Sequence, residues 1–210
     1  MRGVRKALHP PAVHISHEAV REWEAKLAPV LAGELRQRRH GKGGAGRRSW
    51  FVDGTYLKVR GRWCYLYRAI DRNGDLVDTM LSEHRDMAAA QAFFRSAKAA
   101  TGLVPDRVTT DGHGSYPRAI RSTLGRRVVH RTSAFKNNGL EQDHRGVKGR
   151  IRCMRGFKSF ASAERFCRSH DELRDFLRPR TRHNQLVPAD RRRLLHLRRA
   201  AAVLVILEAA

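Results

Sequence analysis

The chain reads as an α/β domain built on an open mixed sheet flanked by helices, and three observations predict it. Residues 50–78, "WFVDGTYLKVRGRWCYLYRAIDRNGDLVD", alternate apolar and polar positions and break at Arg60-Gly61-Arg62 and Asn73-Gly74, the pattern of strands joined by tight turns. Residues 86–100, "DMAAAQAFFRSAKAA", are instead dense in helix formers. Beyond them, "DRVTTD" and "RRVVHR" are short β-rich runs separated by a helix-like "YPRAIRSTLG". With 210 residues and 41% hydrophobic content, the chain can bury one substantial core.

Taken in order, residues 16–31 open on Ser16 as an N-cap and place Val20, Trp23 and Leu27 at helical spacing, which predicts one amphipathic helix. The following "RQRRHGKGGAGRRS" has Ala45 as its single apolar residue, so it reads as a flexible basic linker, with a boundary near residue 48. Strands are expected at 49–59, 62–70 and 75–82 as an antiparallel meander, then the helix capped by Asp86. A fourth strand ends at Asp111 before Gly112 and Gly114, and a fifth strand follows the short helix. "NNGLEQDHRGVKGRIRCMRG" is a loop turning into a helix, and further helices cover 160–177 and 188–209. The order is β-β-β-α-β-α-β-α. Trp50, Trp63 and Tyr65 are assigned to the strand core.

Charge narrows the partners. Forty-three Lys and Arg against 20 Asp and Glu give a formal +23, spread over the whole length, which suits a polyanion and above all nucleic acid. The three cysteines have no C-x-x-C spacing and no even count, so neither a disulfide framework nor a zinc finger is supported. The start lacks an apolar signal core and "AAAVLVILEAA" is too short to span a bilayer, so a cytoplasmic protein with no membrane partner is expected.

Three acids stand out by position. Asp53 lies inside the first strand, Asp111 at the end of the fourth, and Glu141 on the helix after the fifth. If the first and fourth strands are neighbours, the two aspartates face each other and the helix lays Glu141 over them. Such oxygen donors suit Mg²⁺ or Mn²⁺, and two ions about 3.5–4 Å apart could flank a phosphorus undergoing in-line displacement. A cation would also explain a carboxylate within an apolar run. Singly, each acid has a plainer use: a partner for one of the many arginines, a strand-to-loop turn, or a first-turn helix acid. Glu141, Arg145 and Lys148 share one helical face, which would aim an acid and two cations into one cleft. His144 is read as a solvated histidine, and Asp143 as an ion-pair partner. Ser115 and Tyr116 follow Asp111 closely enough to reach a substrate.

"WFVDGTYLKVRGRWCYLYRAIDRNG", "TTDGHGSYPRAI" and "NNGLEQDHRGVKGR…MRGFKSF", in this order, resemble the DDE transposases of insertion sequences in the IS-six group, from about residue 12 to the C-terminus. The resemblance implies a ribonuclease-H-like core, two divalent ions, Asp53, Asp111 and Glu141 as catalytic and metal-holding triad, and Lys148 as the basic residue seven positions after the glutamate. It implies four stretches: a partial helix-turn-helix at 1–32, a basic linker at 33–48, the catalytic domain at 49–178 and a basic helical tail at 179–210. The helix-turn-helix is partial because only about fifteen residues precede Ser16, so the chain is expected to be N-terminally short. The family pattern "DETY" departs here to Gly54. Double-stranded DNA, as element ends and as target, would be held by Arg47, Arg48, Arg145, Lys148, Arg150, Arg152, Arg155 and Lys158. A homodimer or higher homo-oligomer, associated with a prokaryotic nucleoid, is expected. Two other readings stay open at this point: a nuclease or resolvase that cuts without strand transfer, and a catalytically silent remnant that only binds DNA.

Overall fold

A computed structural model describes residues 16–41, 48–133, 138–154, 156–179 and 187–209. A long helix α1 (His17–Arg39) precedes three strands, β1 (Ser49–Val59), β2 (Arg62–Asp71) and β3 (Leu76–Ser82). Then follow α2 (Met87–Thr101), β4 (Arg107–Thr110), α3 (Tyr116–Thr123), β5 (Val129–Thr132), α4 (Asn138–Cys153), α5 (Phe160–Leu177) and α6 (Ala189–Glu208). The sheet runs β3-β2-β1-β4-β5, with β1, β2 and β3 antiparallel and β4 and β5 parallel to β1. This is the mixed, helix-flanked α/β sheet that the sequence predicts.

The turns behave as their residues require. Arg60 and Gly61 both take positive φ, 51° and 78°, which gives the β1–β2 hairpin the twist its strands need. Between β2 and β3, the Asp71 carboxylate accepts the Asn73 and Asp75 amides at 2.8 and 2.9 Å, closing an Asx turn. Asp86 caps α2 through the Ala89 amide at 2.8 Å, as expected from the sequence.

Each face of the sheet buries its own core, because alternate strand residues point to opposite sides. Trp50, Val52, Tyr67, Ala69 and Val77 pack with Ala90, Phe93, Phe94 and Ala97 of α2 and Tyr116 and Ile120 of α3. On the other face Leu57, Val59, Cys64, Leu66 and Leu81 meet Val147 of α4, Phe157, and Ala163 and Cys167 of α5. Burial pushes the Cys167 thiol up to about 12, and Cys64 is likewise buried with a raised value, so both are neutral core residues.

The N-terminal expectations need correction. The stretch expected to be linker from residue 33 is helical as far as Arg39, with Leu35 and Arg39 buried and Glu34, Gln37 and Arg38 exposed. Leu31 and Leu35 pack on Ile206 of α6 with Leu173 and Phe176 alongside. Arg39 donates to Glu172 of α5 at 2.9 and 2.5 Å and to the Leu76 and Val77 carbonyls at 2.7 and 3.0 Å. Arg36 pairs with Asp78 of β3, and Arg165 of α5 grips Glu24 at 2.8 and 2.9 Å. The buried seam of α1 is thus Leu31, Ala32, Leu35 and Arg39, while Val20 and Trp23 are about half exposed at 52% and 51%. Trp63 is also outside the core: it stacks edge-on with Tyr56 at 5.1 Å under Lys58, whereas Trp50 is fully buried. Among the described residues, no helix is long and apolar enough to cross a membrane.

Candidate active site

β1 and β4 supply the first two acids. The strands pair in parallel, with Ser49, Trp50 and Phe51 beside Arg107, Val108 and Thr109. Continuing that register by two residues sets Asp53 beside Asp111, just beyond the last residue of β4. Asp53 belongs to the face that meets α4 and α5, and Gly54, its neighbour, to the face that meets α2 and α3. Both carboxylates are accessible, with side-chain exposures of 17% for Asp53 and 32% for Asp111.

Each acid is embedded in fixed partners. Asp53 Oδ1 accepts its own Gly54 amide at 2.8 Å, and directly across the β1–β2 pair stands Arg68. Arg68 is buried and ion-paired with Asp171 of α5 at 2.8 Å. Asp53 Oδ2 lies 3.8 Å from His144 Nδ1 of α4. Asp111 Oδ1 accepts the His113 amide at 3.1 Å, and Asp111 Oδ2 accepts from Arg85 Nη2 at 2.6 Å. Burial opposes the Arg85 charge, yet Asp111 beside it holds the guanidinium above its usual range. Behind this pair lie two buried phenols. Burial, reinforced by Asp111, pushes the Tyr116 hydroxyl well above the usual phenol range, and burial pushes Tyr67 up to about 12, so both stay neutral.

α4 reaches Asp53. Its Val147 enters the core beneath α5, and His144, one turn earlier, is buried against Asp53. This corrects the expectation of a solvated histidine: three residues from Glu141 puts His144 on the same helical face, turned to the sheet. The Glu141 side chain itself, like that of Asp143, lies outside the described residues; its backbone is in α4, one turn before His144. Among the described residues no three metal-ligating side chains form a cluster, which leaves the pair Asp53 and Asp111 with Glu141 as the candidate third donor. Hard carboxylate oxygens at the open end of a sheet match Mg²⁺ or Mn²⁺ in donor type.

The expected DNA contacts divide. Arg145, Lys148, Arg150 and Arg152 are exposed on α4, and Lys158 is exposed just after it. Lys148 Nζ lies 5.0 Å from the Tyr56 ring centre, which holds it at the β1 side of the helix. Arg48 is elsewhere: it pairs with Asp106 at 3.7 Å, at the end of β4 opposite Asp111. Arg47 and Arg155 lie outside the described residues. Sequence reasoning missed Arg85 altogether. Its signal is the dipeptide Arg85-Asp86 between β3 and α2, where the acid alone was read, as a cap.

Comparison with known proteins gives the chain its relatives. A family model described as a DDE domain matches residues 47–179. The transposase for insertion sequence-like element IS431mec of Staphylococcus aureus is 34% identical over 153 residues, covering 71% of this chain. The transposase for IS257 in transposon Tn4003, also from Staphylococcus aureus, is identical to the same extent over the same length. The chain spans 66% of the length of these relatives. Among solved structures, the HTLV-2 integrase catalytic core domain in complex with magnesium aligns with 74% of this chain and 99% of its own, at 13% identity and a TM-score of 0.48. A chain of the simian T-cell lymphotropic virus intasome in complex with PP2A regulatory subunit B56 gamma aligns with 76% of this chain and 58% of its own, at 14% identity and a TM-score of 0.46. With a DDE-domain model matching residues 47–179, more than half of its length, the chain belongs to the DDE transposases of the IS-six group.

Proposed function

We propose that this chain cleaves DNA at the ends of an insertion sequence and joins the freed 3′ end to target DNA. The observation that supports the reading is the parallel β1–β4 register, which continued by two residues sets Asp53 beside Asp111, with His144 of the helix that bears Glu141 at 3.8 Å from Asp53. In this reading Asp53, Asp111 and Glu141 hold two Mg²⁺ or Mn²⁺ ions. Divalent ions so held supply the Lewis acidity that activates an attacking oxygen and stabilises the leaving one.

The remaining work falls to the chain's own groups. Asp53 is oriented by its Gly54 amide on Oδ1 and by His144 of α4 beside Oδ2. Asp111 is oriented by the His113 amide. Arg145, Lys148, Arg150, Arg152 and Lys158, with Arg48, Arg47 and Arg155, neutralise phosphates and hold the duplex without reading its sequence. In this reading the phosphodiester exchanges between oxygens of DNA and water alone. We assign the stretch before residue 49 to the DNA-binding side and residues 49–178 to catalysis. Two chains acting together, in the cytoplasm at the nucleoid, would bring two element ends to one target.

A strand-transfer assay tests the reading. Purified chain, a labelled duplex carrying the element's own end, supercoiled target and Mg²⁺ or Mn²⁺ are expected to give a joined product that chelator removes and Asp111→Asn abolishes. Cleavage without joining would favour a nuclease; duplex binding with neither would leave a DNA-binding protein.

A further inference from the structure

Arg85 stands where a metal would have to enter. Its Nη2 is 2.6 Å from Asp111 Oδ2, a charge-assisted contact on a carboxylate that the proposed function gives to the metal. One carboxylate oxygen cannot serve a guanidinium at that distance and a cation of the same sign together without steep repulsion. The other side of Arg85 is open. A Cβ built on Gly54 would lie 3.8 Å from Arg85 Nε, 3.9 Å from Arg85 Nη2 and 3.5 Å from Tyr116 Oη. These are ordinary contact distances, so a Cβ fits there without displacing backbone. Arg85 Nε is buried, and the group beside it is the neutral Tyr116 phenol rather than a carboxylate. Gly54 therefore adds no charged acceptor on that side, and the guanidinium makes its charge-assisted contact with Asp111.

We infer that Arg85 competes with the divalent ion for Asp111, and that Gly54, by offering Arg85 no acceptor, sets the strength of that competition. A cation on Oδ2 requires Arg85 to leave it, and one on Oδ1 alone still meets the repulsion of the guanidinium, so the chain needs more free metal to load than its carboxylates alone would demand. A carboxylate at position 54 would reach Arg85 Nε and Nη2 and draw the guanidinium away. This rests on Asp111 being a metal ligand.

The test is Mn²⁺ titration of the metal-stripped full chain by calorimetry, with circular dichroism to verify folding, for the parent, Arg85→Gln, Gly54→Glu, Gly54→Gln and the Arg85→Gln/Gly54→Glu pair. Arg85→Gln is expected to lower the Mn²⁺ Kd about tenfold or more, the effect of losing one charge at hydrogen-bonding range. Gly54→Glu lowers it in the same direction, Gly54→Gln does not, and Gly54→Glu adds little once Arg85 is gone. An unchanged or higher Kd in folded Arg85→Gln overturns the competition. Should Arg85→Gln not fold, an unchanged Kd in Gly54→Glu overturns it instead. An equal gain from Gly54→Glu with and without Arg85 would mean that the glutamate acts on the metal directly, which removes Gly54 from the account. Absence of Mn²⁺ binding in every variant overturns the metal site itself and this inference with it.

Discussion

Gly112, next to Asp111, shows how narrowly a single position can be specified. Its φ is +90°, and a Cβ there would come within 2.6 Å of Thr132 Cγ2 on β5, while its amide donates to Thr110 Oγ1 at 3.1 Å. Any side chain must shift the Asp111 turn or the β5 edge. Gly112→Ala is expected to cost about 1–3 kcal/mol in urea unfolding, and to weaken Mn²⁺ binding because Asp111 moves with the turn. At this scale the sequence was uneven. Asp53 and Asp111 were legible because an acid in an apolar strand, or before a Gly-rich turn, is visible without knowing the fold. His144 and Arg85 were not, since a histidine on a polar helix or an arginine in a short loop acquires its partner only when β1, β4 and α4 come together. Gly54 was legible as a departure, but what it leaves open, an edge of Arg85 thirty-one positions away, is a tertiary fact.

Among the elements, the strands and their turns follow the alternation of residues 50–78 almost residue for residue, because a half-buried pleat enforces period two. α1 is the counterexample. "GELRQRR" looks like a linker since arginines seldom enter cores, yet Arg39 is buried by meeting Glu172, 133 residues later. Breaking that pair should be severe. Arg39→Met alone is expected to cost about 3–5 kcal/mol, by leaving Glu172 buried and uncompensated, whereas Arg39→Met with Glu172→Leu should recover much of the loss. Urea unfolding of the single and double variants checks both, and equal instability of the two would assign the cost to the Leu76 and Val77 carbonyls instead.

For the whole molecule, an excess of 23 positive charges means that the proposed binding to duplex DNA would be chiefly the release of counterions. Raising salt from 50 to 200 mM is expected to weaken binding by about 10³-fold or more, equally for element ends and unrelated duplex, as filter binding or anisotropy would show. Replacing Arg145 and Lys148 together with Gln should make that slope shallower by about two phosphates. The docking of α1 adds a mechanical side to this picture. Four attachments, Glu24 to Arg165, the Ala28 carbonyl to Ser169, Arg36 to Asp78 and Arg39 to Glu172, fasten one helix along α5 and the β3 edge. A helix of 23 residues is roughly 34 Å long, and bolted in this way it is a strut and not a hinge. DNA gripped by its exposed front half would meet the carboxylates at a set reach, so the helix would work as a gauge that measures how far from the point of grip a strand is cut.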